Sequence, residues 1–397
     1  MSFYLLCKVL FSRKVVTGLL LVQLAMTLAL LLNSILLAQQ TQQQLSQPTG
    51  LDLDNTLVAL IKPTTASLRV YPALQDVLDR QLAAVQVLPG VIAAAYANQS
   101  AILQGGNNGN VYDIEQQERT NIPTVPMYFV SKDFFKVLNS NVLQGELPQF
   151  STSLDGPVQP DVILTKSLAD KLFSGESALG RQTNRGRVAA VINDFYGQRY
   201  SDHVMYNSVQ VAPPYSVDWG YSIMLRTQPE QTDAVRQQLA DVLRTVEPNI
   251  EIFHIRNLAE QHKDLYRNEY GLAMLLAILS ALMLLVTMVS SYSSTHFHAL
   301  KRQQEIGVKR ALGASKNTIL LELLSENWLC TAIGAVLGLG LGLLLNQALA
   351  QVITIPPLNW YLPLTTLAAL LLCVTVATWY PAAIATRVSP ATATKTL

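Results

Sequence analysis

Charged side chains are scarce in this chain. Only 14% of its 397 residues are Asp, Glu, Lys or Arg, against about 25% in an ordinary soluble domain, while 50% are hydrophobic. The net charge of +1 leaves no basic excess of the kind a general nucleic-acid binder needs. Cysteine is rarer still. Of the three, Cys7, Cys330 and Cys373, none falls between residues 39 and 270. No disulfide can staple that segment, which at about 230 residues is long enough to hold by packing. Nowhere does the chain read GxxxxGK[ST], the loop that wraps a nucleotide's phosphates. His203, His254 and His262 lack metal-ligand spacing, and His296 and His298, two apart, diverge on a helix. The acids and serines of residues 39–270 form no recognisable triad or carboxylate pair. Neither a catalytic residue nor a metal site is expected.

Long apolar runs are abundant. Residues 15–38, 272–289, 328–352 and 361–385 each approach or exceed the roughly 20 apolar residues that cross a bilayer. The first could be a cleaved leader, since Lys8, Arg13 and Lys14 precede it. Its apolar stretch outlasts the roughly 7–15 residues of a signal core, however, and Leu36 stands where cleavage after Ala38 wants a small residue. A retained anchor is the favoured reading. Cys7 has no apolar region before it and is no lipidation site.

Lys and Arg cluster beside particular span ends, which sets orientation. Lys8, Arg13 and Lys14 lead the first run. Lys301, Arg302, Lys309, Arg310 and Lys316 lie between the second and third, and Arg387 and Lys395 follow the fourth. AQVITIPPLNWYLP, between the third and fourth, has none. Both termini are therefore expected in the cytoplasm and residues 39–270 outside it.

The outer segment opens with QQTQQQLSQPTG. That stretch suits a polar linker or a helical stalk equally, since Gln is a fair helix former. Helical spacing predicts helices over residues 74–88 and 232–246. Strands are expected at 91–97, 125–130, 161–165, 188–192, 221–226 and 250–255, with short helices from Ser131 and after Thr165. Turns are expected at 104–110 and at Gln144-Gly145, and a loop at 150–160. A polar helix over 258–270 would feed straight into the second span. The predicted fold is an α-helical membrane protein with four transmembrane helices plus an α+β extracytoplasmic domain on helical stalks. The expected divisions are residues 1–38, 39–270 and 271–397.

Between the second and third spans stands RQQEIGVKRALGAS, residues 302–315. Lys301, Glu305 and Lys309 are spaced for one helical face. Ile306, Val308, Ala311 and Leu312 supply apolar surface, Gly313 is placed just past a helix end, and Ser315 can cap the next helix. Such an element is either an interfacial anchor or a knob for a cytoplasmic partner. Gly307, costly in a helix by about 1 kcal/mol against Ala, suits the close approach of another backbone, or is merely tolerated. Gly334, Gly338 and Gly342 recur every fourth residue and let helices approach closely. They would pack against the fourth span or form a dimer seam. Glu322 reads as a solvated interfacial charge.

QEIGVKRALGASKNTILLELLSENWLCTAIGAVLGLGLG, residues 304–342, resembles the signature segment of MacB-like and FtsX-like permeases of ABC transporters. YPAAIATRVSP, residues 380–390, is similar to that family's ending, although the tail PATATKTL lacks its usual acidic residue. VPMYFVSKDFFKVLNSNVLQGELP and PDVILTKSLADKLFSGESALGR resemble, more loosely, its periplasmic core. Glu326 matches a glutamate common in the family.

The resemblance implies an inner-membrane permease subunit with a coupling helix at about 299–314. In it Glu305, Ile306, Gly307, Arg310, Ala311, Leu312, Gly313 and Ala314 would meet a separate cytoplasmic ATPase. No cofactor is expected in this chain, ATP and magnesium belonging to that partner. A second permease copy or a related permease would complete a dimer in the lipid bilayer, with a periplasmic adaptor and outer-membrane channel in an export assembly. Export by mechanotransmission of a peptide, antibiotic or other small molecule is expected. The alternative is FtsX-like signalling or lipoprotein-release-type extraction without small-molecule transport. A membrane sensor would need a cytoplasmic output domain, and the longest internal segment is only about 35 residues. A membrane-anchored hydrolase would need a catalytic constellation.

Overall fold

The computed structural model describes residues 14–149, 160–214, 217–351 and 359–387. The basic residues Lys8 and Arg13, Cys7, most of the 150–160 loop, the 352–358 stretch and the tail from residue 388, with Lys395, lie outside the described residues. The chain divides into two compact units. One comprises Met1–Ser46 with Arg267–Leu397, and the other Gln47–Tyr266.

The first helix, α1, runs Lys14–Leu45. At 1.5 Å per residue it is about 48 Å long, well beyond the roughly 30 Å of a hydrocarbon core. The Gln-rich stretch that sequence left open between linker and stalk is therefore helix as far as Leu45.

The Gln47–Tyr266 unit is built on a mixed sheet. Its strands are β1 (Thr56–Pro63), β2 (Val91–Ala97), β3 (Asn108–Val111), β4 (Ile122–Val130), β5 (Val142–Gly145), β6 (Val162–Thr165), β7 (Gln182–Thr183), β8 (Gly186–Ile192), β9 (Ser208–Val211), β10 (Tyr221–Thr227) and β11 (Ile250–Asn257). The spatial order is β11-β1-β10-β2-β4-β9-β6-β8-β5, with β3 on β4 and β7 on β8. The β4–β9 and β6–β8 pairs are parallel and the other pairs antiparallel. The helices of this unit longer than one turn are α2 (Ala73–Gln86), α3 (Phe134–Leu138), α4 (Lys166–Phe173), α5 (Thr232–Val246) and α6 (Leu258–Leu265).

In α5 the buried residues Val235, Leu239 and Leu243 recur every fourth position, so one stripe faces inward. In α2 the corresponding residues are Leu74, Val77, Leu78 and Val85. Both stripes close on Leu57, Ala59, Tyr96, Ile223 and Leu225. Each large side chain so buried contributes about 1.5–3 kcal/mol before entropy is counted. A second core joins α4 to β6 and β8 through Leu168, Leu172, Val162, Leu164 and Val188.

Two sequence expectations change here, and one strand was not expected at all. β1 shows no alternation to announce it, because it lies between β11 and β10 and almost all its residues are buried. Gln144 and Gly145 are no turn but the end of β5, paired to β8. Gly145 has φ +77°, and a Cβ there would sit 2.1 Å from the Ala189 carbonyl oxygen. The glycine serves a close backbone approach that reads as a turn signal in sequence. The helix expected over 258–270 is broken at Tyr266 (φ −108°, ψ 9°), so α6 and the helix that follows are separate.

His262 of α6 is buried, edge-on to the rings of Tyr196 and Tyr266, 5.2 and 5.6 Å away. The two tyrosine hydroxyls are 2.8 Å apart, and Arg199 lies over the Tyr266 ring. Burial holds His262 below the usual histidine range. The unfolded chain then binds the proton first, so stability falls as pH drops below about 6.5, down to the folded-state pKa. Between about pH 7.5 and about pH 5.5 the thermal midpoint of His262→Phe is expected to fall less than that of the native chain. Equal falls would exclude His262 as a source of acid sensitivity.

The other unit holds α1 with α7 (Arg267–Lys301), α8 (Gln303–Ala311), α9 (Lys316–Leu349) and α10 (Tyr361–Ala385). All but α8 are long and apolar enough to cross a membrane. α1 packs against α9 and α7, and α10 packs against the same two. Gly334, Gly338 and Gly342 face α1, not the fourth span. A Cβ at Gly334 would lie 2.7 Å from Leu24 Cβ, and one at Gly338 2.9 Å from the Ala25 carbonyl oxygen. Asn33 Nδ2 donates to the Gly342 carbonyl at 3.0 Å, which fixes the register of the two helices. Gln23 Nε2 donates to Thr287 Oγ1 at 3.3 Å, and the Thr27 and Thr287 hydroxyls lie 3.0 Å apart. These contacts link α1 to α7 in a medium where unpaired polar groups are costly.

Candidate coupling surface

The 302–315 stretch folds as a short helix with defined ends. Arg302 leaves helical geometry (φ −104°, ψ 16°), so Lys301 closes α7 and sits over the Phe297 ring. It does not share a face with Glu305 and Lys309, as the spacing suggests. The Glu305–Lys309 pair does form, at 3.0 Å.

At the other end Gly313 adopts φ +93°. Its N–H donates to the Arg310 carbonyl at 3.1 Å, and that of Ala314 to the Lys309 carbonyl at 3.0 Å. This is the paired Schellman stop. Ser315 Oγ then accepts from the Thr318 N–H at 3.2 Å and caps α9. Gly313→Val would force a β-branched residue into the left-handed region at a cost of at least about 1–2 kcal/mol. Tryptic cleavage between Lys309 and Lys316 in the solubilised chain is expected to rise several-fold; an unchanged rate would show that the stop is not what holds the turn.

The helix has an inward and an outward side. Ile306 is 5% exposed and packs with Ala299, Ile319, Leu323, Ala382 and Ala385, with Ala314 beside them. Gly307 is buried too. Arg310 Nη1 donates to the Thr386 carbonyl at 2.5 Å. Ile306 and Gly307 are thus packed into this chain's own interior, where the expectation from sequence set them at the partner contact. Ala311 and Gly313 are exposed. Leu312 is 83% exposed and Val308 56%, one turn apart, and Glu305 stands half-exposed beside them.

Sequence reasoning missed the ties behind this surface. Arg302 Nη1 donates to Glu326 Oε1 at 2.5 Å, and Lys309 Nζ to Glu322 Oε1 at 2.8 Å. Glu322 is therefore paired, not a solvated charge. The four-residue spacing of Glu322 and Glu326 on one α9 face was the available signal. Among the described residues no group of three or more His, Cys, Asp or Glu is placed to hold a metal ion.

Similar proteins match the same two regions. The model of the MacB-like periplasmic core domain matches residues 17–242, more than half of the chain, and that of the FtsX-like permease C-terminal matches residues 277–390. The macrolide export ATP-binding/permease protein MacB of Wolinella succinogenes is 24% identical over 312 residues, covering 72% of this chain and 44% of the relative. That of Chromobacterium violaceum is 26% identical over 220 residues, covering 53% and 34%. The chain thus spans less than half the length of these relatives. The crystal structure of the periplasmic region of MacB from Actinobacillus actinomycetemcomitans overlays at TM-score 0.35 with 16% identity, covering 57% of this chain and 99% of that one. With four apolar helices long enough to cross a membrane, a mixed α/β unit and these two family matches, the chain is a multi-pass membrane protein belonging to the MacB-like/FtsX-like family of ABC transporter permeases.

Proposed function

We propose that this chain forms the permease part of an ABC transporter, with α8 receiving movement from an ATPase in the cytoplasm. The observation that carries this reading is the outward side of α8. Val308 and Leu312 are exposed one turn apart, on a nine-residue helix stopped by Gly313 and held between two spanning helices. A pure interfacial anchor would present a broader apolar face. Glu305, Arg310, Ala311 and Ala314 flank or support the tip, and ATP and magnesium are bound by the partner. Lys and Arg counts support cytoplasmic termini and an α/β unit outside the inner membrane.

Movement passes through the helices to that unit and drives export of a peptide, antibiotic or other small molecule. A dimer with a second copy or a related permease is part of the reading, its seam elsewhere than Gly334, Gly338 and Gly342, which α1 occupies. A periplasmic adaptor and outer-membrane channel would complete an export assembly. The match of residues 277–390 to the FtsX-like C-terminal model favours a second reading, signalling or lipoprotein extraction without small-molecule transport.

The orientation is tested in a chain with Leu312→Cys as its only cysteine. A membrane-impermeant maleimide should label it in inside-out vesicles and leave it unlabelled in intact cells. Labelling in intact cells would remove the reading.

A further inference from the structure

The joint between α7 and α8 is one residue long. Arg302 has left helical geometry, yet its N–H still donates to the His298 carbonyl at 3.1 Å, and its carbonyl accepts from Ile306 N–H at 2.9 Å. A one-residue break of this kind leaves the direction of α8 to be set by side chains. Those side chains reach α9 and α10. Arg302 pairs with Glu326, Lys309 with Glu322, Arg310 holds the Thr386 carbonyl, and Ile306 fills the space between them.

The arrangement is antiparallel. Lys309, late in α8, meets the earlier glutamate of α9, while Arg302, ahead of α8, meets the later one. Of the two ion pairs, Arg302–Glu326 is the more buried, its side chains 17% and 9% exposed against 37% and 17% for Lys309 and Glu322. The Arg302 guanidinium also approaches Glu305, Nε to Oε2 being 3.7 Å. Arg302 thus lies between a carboxylate of α8 and one of α9, which a compact ammonium could not span in the same way. Burying such a pair is a poor source of stability, since desolvation offsets the attraction. Its best-attested use is to specify one register among several.

We propose that Arg302 and Glu326 are positioning residues. They hold α8 in one register on α9, so that movement of α8 enters the bundle through α9 and α10 instead of bending the α7–α8 joint. The mechanical half of this statement rests on the docking role given to α8 above; the register half does not.

The test uses the full chain reconstituted in nanodiscs, with Cys7, Cys330 and Cys373 replaced by alanine. Spin labels at Gln303→Cys and Leu321→Cys, both exposed positions outside the docking surface, report the distance between α8 and α9. The native pair should give one narrow distance distribution. Arg302→Gln and Glu326→Gln should each broaden it into several populations, and Arg302→Lys should recover part of the narrow one. Because a lone buried charge can disrupt folding by itself, the double variant R302M/E326L, which leaves none, is decisive. It should remain broad. A narrow distribution in that variant, or in both single Gln variants, would overturn the register role.

A second readout separates this inference from the docking reading. With the ATPase that co-purifies with the chain, R302M/E326L should retain the ATPase but lose the ATP-dependent change in the label distance. Retention of that change would overturn the mechanical role. If Leu312→Asp leaves co-purification undiminished, the docking reading falls and the mechanical role falls with it, and the distance distributions alone decide the register role.

Discussion

Leu312→Asp is expected to abolish binding and stimulation of the ATPase while leaving the chain folded and inserted. The two effects separate because the side chain is 83% exposed and lies just beyond the last turn of α8. Changing an exposed residue away from special features shifts stability by about 0.5 kcal/mol or less. Burying a leucine in a partner's groove is worth about 1.5–3 kcal/mol, and a carboxylate placed there adds its own desolvation cost. A total of at least about 3 kcal/mol corresponds to more than about 100-fold in affinity. Co-purification and ATP hydrolysis by the mixed components measure it.

Ile306→Asp makes the contrast. Ile306 is buried among Ile319, Leu323, Ala382 and Ala385, so that variant should fail through misfolding, seen as a lowered thermal midpoint of the chain alone. An L312D chain that stimulates hydrolysis like the native one would remove α8 as the docking element.

Gly338→Leu is expected to have the largest effect on the helical unit itself. A Cβ at that position would lie 2.9 Å from the Ala25 carbonyl oxygen and 3.0 Å from Leu28 Cβ, and a leucine adds three further carbons. Backbone cannot yield as a side-chain tip can. The α1 and α9 helices must separate, and with them the Asn33 to Gly342 hydrogen bond. Overpacking of this kind costs about 1–3 kcal/mol or more, and the hydrogen bond about 1 kcal/mol beyond that.

Gly340→Leu is the control, since nothing lies within 4 Å of a Cβ there. Thermal unfolding in detergent should show a clear drop for the first variant and little change for the second. Equal midpoints would mean that the α1–α9 contact does not depend on the glycine face.

Much of this was legible in sequence because it rests on local chemistry. Three of the apolar runs lie within helices long enough to span, and the third, expected over 328–352, lies in one as far as Leu349, since a bilayer demands length and apolarity over consecutive residues. Gly313 and Ser315 announced a helix stop and a cap, each satisfying backbone groups a few residues away. The α5 helix was readable from the spacing of Val235, Leu239 and Leu243.

What could not be read depended on neighbours distant in the chain. β1 is paired on both edges by strands from the other end of its unit, and helices α5 and α6 pack against it, so alternation is absent. Gly145 reads as a turn and is a close approach to Ala189. Ile306 and Leu312 are both apolar residues of one short segment, and no local rule says which points inward.

Sequence by itself thus determined the membrane class, the helix stop at Gly313 with the cap at Ser315, and the family, because each is written in consecutive residues or in their spacing. Tertiary structure alone decided which face of α8 is free, that Gly334, Gly338 and Gly342 belong to α1, and that Arg302 and Glu326 meet. The physical reason is that burial and ion pairing are properties of what lies across the gap, and across the gap lie residues tens to hundreds of positions away.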